Sequence, residues 1–257
     1  MHKGLFIGIN YIGSTAQLYG CINDINNVFN FLNTNNNLDK KNCMFLSDET
    51  ILKPTAQNII NSFNWLLNGI KSGDTLFFHY SGHGAQVLDR DGDEKDKLDE
   101  CIIPLDYMTK GVITDDLIYS LLISKIPKGV KLFCIMDCCH SGSGMDLKYT
   151  YLNLRNRDIL DMVGRRNNIN GDVIMLSGCM DNQTSADTVE LNLITKQYQQ
   201  QGALTYGFLE VMNKNKIITY ANFIKEIRTL LKSKNYIQIP QLSFGLYPNL
   251  KNNVNLL

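Results

Sequence analysis

No stretch of about 18 consecutive apolar residues occurs in the chain, so no part of it is built to cross a bilayer as a helix. Net charge is missing as well: 25 basic residues stand against 25 acidic ones, which leaves no surplus to hold nucleic acid or an anionic membrane. The first nine residues carry no small-residue cleavage site of the secretory kind, and no C-x-x-C pair offers a structural zinc site. Seven cysteines, at 21, 43, 101, 134, 138, 139 and 179, are an odd number set mostly within apolar runs, a usage that suits a reducing compartment better than a disulfide framework. Together these absences predict a cytoplasmic protein. No internal repeat and no clear linker divides the 257 residues, so one domain is expected.

What is present is an alternation of short apolar runs and amphipathic stretches. Residues 4–12 read as a buried strand, and 24–32 as a helix with Ile25, Val28, Phe29, Phe31 and Leu32 at helical spacing. Residues 42–46 follow as a strand and 54–70 as a helix with Pro54 near its start, an order that predicts parallel crossovers. Further strands are expected at 74–80, 131–136 and 172–179, and helices at 115–126, 203–212 and 220–231. A late strand at 237–244 contains Pro240, which points to an edge position. The acidic stretch 88–100 reads as a solvent loop; part of it resembles a calcium loop, but the spacing fails the EF-hand pattern. Residues 143–171 read as a surface connection and 181–201 as a polar, mobile stretch.

Reactive side chains gather where strands end. Residues 131–136 (KLFCIM) are an apolar run after Lys131, without Gly or Pro, and Asp137-Cys138-Cys139-His140-Ser141-Gly142 follows directly, although a Cys pair at a strand end is also a common structural feature. The strand at 74–80 ends in Ser81-Gly82-His83-Gly84, an imidazole between two glycines. A lone histidine is more often structural, and His79, inside the strand, is read that way. In a parallel sheet both carboxyl ends share one edge, so a thiol and an imidazole 56 positions apart can meet there. A thiolate nucleophile needs such a base. Asp24, Asp115 and Asp116 each precede a helical pattern, and helix capping, or for Asp24 favourable contact with the helix dipole, is their plain role.

The segments 78–84 (FHYSGHG) and 137–142 (DCCHSG) together resemble the type I metacaspases, calcium-dependent cysteine peptidases of the caspase-like fold. The likeness extends to GCIND at 20–24, DEC at 99–101, ITDD at 113–116, SAD at 185–187 and QIPQLS at 238–243, and so spans nearly the whole chain. The Gln-Ala-Cys signature of true caspases is absent. The resemblance implies an α/β fold with a central, mostly parallel sheet flanked by helices on both faces. It divides the chain into a large-subunit-like part at 1–144, the connection at 145–171 and a small-subunit-like part at 172–257. It makes Cys139 the nucleophile and His83 its general base, with Cys138 pointing elsewhere and the N–H groups of Gly84 and Cys139 as oxyanion donors. Asp24 and Asp137, with Cys21 and Ser81 beside them, match an acidic pocket for Arg or Lys at P1, the residue before the scissile bond. Asp99, Asp115, Asp116 and Asp146 match calcium ligands, a role that can coexist with capping. No prodomain is expected ahead of Met1, and the Arg-rich stretch between 148 and 166 is a candidate for cleavage after a basic residue. A monomer acting on peptides or proteins is implied, binding neither nucleic acid nor membrane. The rival from another class is a catalytically silent caspase-like regulatory or binding module. A flavodoxin-type binding protein is disfavoured, because Gly8 to Gly13 has the wrong spacing for a dinucleotide loop.

Overall fold

A strand whose side chains are apolar on both faces can bury them all only between two layers of helix, and that requirement organises the chain. The computed structural model describes residues 1–89, 92, 97–138, 145–154, 157–162, 169–178, 187–191 and 198–257. In chain order the elements are β1 (His2–Gly8), α1 (Cys21–Asn36), β2 (Cys43–Ser47), α2 (Ala56–Leu67), β3 (Thr75–Ser81), β4 (Gly84–Leu88), β5 (Leu98–Ile102), α3 (Tyr107–Lys110), β6 (Ile113–Thr114), α4 (Asp115–Leu121) and β7 (Lys131–Asp137). They continue with β8 (Tyr149–Leu154), β9 (Arg157–Met162), β10 (Asp172–Ser177), β11 (Asp187–Leu191), β12 (Tyr198–Gly202), α5 (Ala203–Lys214), α6 (Tyr220–Ser233) and β13 (Gln241–Phe244).

The main sheet has the order β2-β1-β3-β7-β10-β13-β8-β9. From β2 to β10 all neighbours are parallel. The strands β13, β8 and β9 then each run antiparallel to the one before. Side-chain alternation splits the core in two. On one face Leu5, Ile7, Leu76, Phe78, Leu132 and Cys134 pack on Ile59, Phe63 and Leu66 of α2 and Ile118 of α4. On the other, Phe6, Phe77, Phe133 and Ile135 meet Ile25, Val28 and Leu32 of α1 and Phe208, Phe223 and Ile227 of α5 and α6. Each fully buried side chain of this size contributes roughly 2 kcal/mol. Among the described residues no helix is long and apolar enough to cross a membrane.

One glycine decides how α1 meets the sheet. A Cβ on Gly8 would lie 2.5 Å from the carbonyl oxygen of Cys21, so only glycine at the end of β1 lets the first turn of α1 settle there. Asp24 is thereby brought over the carboxyl ends of the strands. The helix stops at Asn37, whose left-handed backbone (φ 57°) returns its N–H to the carbonyl of Leu32.

Several expectations are corrected. The acidic stretch is not all solvent loop: Leu98–Ile102 pairs with Gly84–Leu88, and Asp99 and Glu100 are buried. The region 143–171 is more than a connection, since β8 and β9 extend the main sheet and Tyr151 is fully buried. Arg155, Arg165 and Arg166 of that region lie outside the described residues, and Arg157 is exposed. In the polar stretch 181–201, residues 187–191 pair with the strand beginning at Tyr198 as an antiparallel two-stranded sheet. Finally β13 is an interior strand, between β10 and β8; Pro240 lies just ahead of it and so withholds no N–H from the ladder.

Candidate active site

The carboxyl ends of β1, β3 and β7 form one edge, with Gly8 opposite Ser81 and Ser81 opposite Asp137. His83 and Cys139 each follow two residues after that last pair. His83 is held from several sides. Its N–H donates to the Tyr11 hydroxyl at 3.1 Å, its carbonyl accepts from the Tyr80 hydroxyl at 2.7 Å, and its ring packs on that of Tyr11 with centroids 4.7 Å apart. The ring atom Nε2 lies 2.7 Å from the carbonyl oxygen of Ala16. A carbonyl only accepts, so Nε2 carries the proton and Nδ1 is left as the basic nitrogen. The main chain of Ala16 thus orients the ring.

Cys139 and His140 lie outside the described residues. Cys138 is buried in the apolar cluster that includes Tyr11 and Tyr80, as expected for a structural neighbour. Gly84 pairs with Ile102, and the bond from Ile103 N–H to the carbonyl of His83 marks this as a non-hydrogen-bonded antiparallel pair, which turns the Gly84 N–H away from β5.

Asp24 is not the N-cap of α1, which is Gly20, but it does lie at the positive end of the helix dipole. It sits in the first turn, fully buried, and accepts from the Ser81 hydroxyl at 2.6 Å and from the N–H of Gly202 at 2.9 and 3.1 Å. Asp137, also buried, accepts through Oδ2 from the N–H and hydroxyl of Thr205, at 2.9 and 2.8 Å. Gly202 separates the two acids. A Cβ there would fall 2.1 Å from Asp137 Oδ2, so the carboxylate occupies the space that any side chain would need. Cys21, buried, opens α1 at the same place. Asp24, Ser81 and Asp137 therefore converge at the N-terminus of α5, whose N–H groups and dipole favour negative charge.

The acidic cluster lies where the start of α4 meets β5, with the N–H of Glu100 donating to Asp115 at 3.2 Å. Asp115, Asp116 and Asp146 each bring a carboxylate oxygen to within 4.8 Å of the others. Asp146 holds a left-handed backbone, φ 50°. The N-cap of α4 is Thr114, whose hydroxyl accepts from Leu117 N–H at 3.4 Å, while Asp115 accepts from the N–H of Asp116 in the same first turn at 3.0 Å as well as from that of Glu100. Burial first, then the charges of Glu100 and Asp99, push the Asp115 carboxyl up to about 9. Asp99 is thus near, though outside the tight trio. Such a set of hard oxygen donors, two of the three buried, fits a divalent cation of the calcium type.

Glu100, Gly202, Thr205 and the Ala16 carbonyl were not legible as site residues. Glu100 hides in an acidic run, and a main-chain carbonyl leaves no mark in a sequence.

The family model described as "Metacaspase, peptidase C14 domain" matches residues 2–148. Metacaspase-1 of Mycosarcoma maydis is 38% identical over 286 residues, covering 94% of this chain and 69% of that protein. The chain belongs to the metacaspase family. Metacaspase-2 of Trypanosoma brucei brucei is 40% identical over 252 residues, with 94% and 72% of the two chains covered. The crystal structure of caspase-1 from Spodoptera frugiperda matches the fold with a TM-score of 0.51 at 9% identity, over 94% of this chain and 85% of that one. The metacaspase therefore has the caspase-like fold and is a cysteine peptidase acting on peptide or protein substrates, and the silent-module alternative is set aside.

Proposed function

We propose that this metacaspase is a calcium-dependent endopeptidase that cleaves after Arg or Lys, with Cys139 as nucleophile and His83 as proton carrier. The observation that carries the reading is the convergence, on the sheet edge that presents His83, of two buried carboxylates around Gly202. Carboxylates beside a substrate side chain select cations, and an acidic side chain would be repelled. His83 Nδ1 takes the thiol proton, and the Cys139 sulfur attacks the scissile carbonyl carbon. The resulting oxyanion is met by the N–H groups of Gly84 and Cys139. Collapse breaks the C–N bond, the amine leaves with the proton from His83, and a thioester remains. Water then attacks it, giving a proton to His83, and the acid product and the thiol are released.

Asp115, Asp116 and Asp146, with Asp99 close by, would hold the calcium ion. Bound there, it supplies positive charge that lets the carboxylates stay ionised together and fixes the segments that carry them. It takes no part in the bond-making steps.

The test is hydrolysis of three fluorogenic peptides that differ only at P1, carrying Arg, Lys or Asp. With calcium, kcat/KM for the Arg and Lys peptides should exceed that for the Asp peptide by at least about a hundredfold. Cleavage of the Asp peptide alone would overturn the pocket assignment.

A further inference from the structure

Gly202, the residue ahead of α5, holds Asp24, and Thr205 in the first turn of α5 holds Asp137, a contact that continues one step further into the sheet. The Thr205 hydroxyl donates its single proton to Asp137 Oδ2, a carboxylate oxygen that can only accept. At its other contact, 3.4 Å from Nε2 of His79, the same hydroxyl must therefore accept. His79 consequently carries its proton on Nε2. It is fully buried on β3, burial pushes its pKa down to about 3, and so the ring is neutral. Its Nδ1 is buried without a hydrogen-bond partner among the described residues. For packing alone an apolar side chain would serve at less cost. What His79 adds is one N–H aimed at Thr205.

Both Thr205 donors fall on the same oxygen of Asp137. That arrangement fixes the plane of the carboxylate as well as its position. With Oδ2 taken by Thr205, a substrate cation meets the carboxylate from the Oδ1 side; a planar guanidinium, whose donors are fixed in one fork, depends on how that plane is set, whereas an ammonium is a point charge and depends on it far less.

We propose that Thr205, held by His79 behind it, is a positioning residue for P1 specificity, setting the Asp137 carboxylate to favour Arg over Lys. The proposal deepens the reading of Asp24 and Asp137 as the P1 pocket and rests on it.

The test measures kcat and KM for matched Arg and Lys peptides with calcium. In Thr205→Val, KM for the Arg peptide should rise about tenfold and for the Lys peptide about twofold, with kcat changing by less than about twofold. Thr205→Ser, which keeps the hydroxyl, should restore the wild-type Arg to Lys ratio. His79→Leu should shift the ratio in the same direction as Thr205→Val, His79→Gln should keep it through its amide N–H, and the double variant Thr205→Val/His79→Leu should be no worse than Thr205→Val, because His79 acts through Thr205. An unchanged ratio in Thr205→Val and His79→Leu, or an equal loss on both peptides, overturns the proposal. If Thr205→Val does not fold, the His79→Leu and His79→Gln pair decides alone. Wild-type protein that cleaves neither peptide overturns the pocket reading and the proposal with it, an outcome visible before any variant is made.

Discussion

Replacing Cys139 with alanine is expected to lower kcat/KM by about 10⁴-fold or more, and His83→Ala to do nearly the same, with the double variant no worse than the worse single one. The reason is that the two groups act as a unit. Without the sulfur there is no acyl-enzyme, and without the imidazole no group takes the thiol proton or returns it to the leaving amine. The structure adds a finer expectation for His83. Its proton sits on Nε2 because the Ala16 carbonyl accepts it, so Nδ1 is the working nitrogen and the stretch following β1 serves as its support. Glutamine at position 83 would keep an N–H donor in the place of Nε2 for Ala16 yet offer no base, so His83→Gln should be as inactive as His83→Ala while keeping the wild-type fold by circular dichroism. Activity in Cys139→Ala above about a tenth of wild type would end the assignment of Cys139.

Chelation is the second large effect. Stripping divalent cations should lower kcat/KM for the Arg peptide by about a hundredfold or more, and calcium should restore it. Three carboxylates whose oxygens lie within 4.8 Å of one another cannot all ionise comfortably without a cation. Burial and the neighbouring Glu100 and Asp99 push the Asp115 carboxyl up to about 9 besides. The sign of its effect on stability follows. Between the ordinary carboxyl range and about 9, the metal-free fold holds a proton on Asp115 that the unfolded chain has released. Metal-free protein therefore has this stabilisation in full below the ordinary range and loses it as pH rises through about 9. A cation takes the place of the proton, so calcium should raise the melting temperature more at pH 8 than at pH 5. At a calcium concentration a hundred times its dissociation constant the gain is about 2.7 kcal/mol. Asp115→Asn together with Asp116→Asn should remove both the activation and the shift in melting temperature. Full activity in excess chelator, or a calcium response that survives the double substitution, would sink the metal assignment.

The parts of the fold that were legible in the sequence are those whose signal is local. Residues 131–136 form an apolar run long enough to be a buried strand, and the Gly, His and Cys clusters stand at the ends of such runs. The missed parts depend on partners far away in sequence. The strand β5 begins inside an acidic run, and its Asp99 and Glu100 are buried because β4 and α4 pack around them, which no local hydropathy announces. The interior place of β13 depends on β8, about ninety residues earlier, through pairs such as Ser243 with Thr150. Pro240 suggested an edge only because its position one residue ahead of the strand could not be known. In the site, the motifs named His83, Asp24 and Asp137, but Thr205 meets Asp137 across 68 positions. Gly202 owes its identity to the space that the same carboxylate takes up.

The central claim is that Cys139 attacks the carbonyl of a residue whose cationic side chain is held by Asp24 and Asp137. It is tested most directly by incubating the protein, with calcium, with peptidyl chloromethyl ketones that end in Arg or in Asp, followed by intact-mass measurement and peptide mapping. A single adduct on Cys139 from the Arg reagent, missing from the chelated sample and from the Asp reagent, is the predicted result. An adduct on Cys138, or labelling by the Asp reagent in preference to the Arg reagent, would contradict the account.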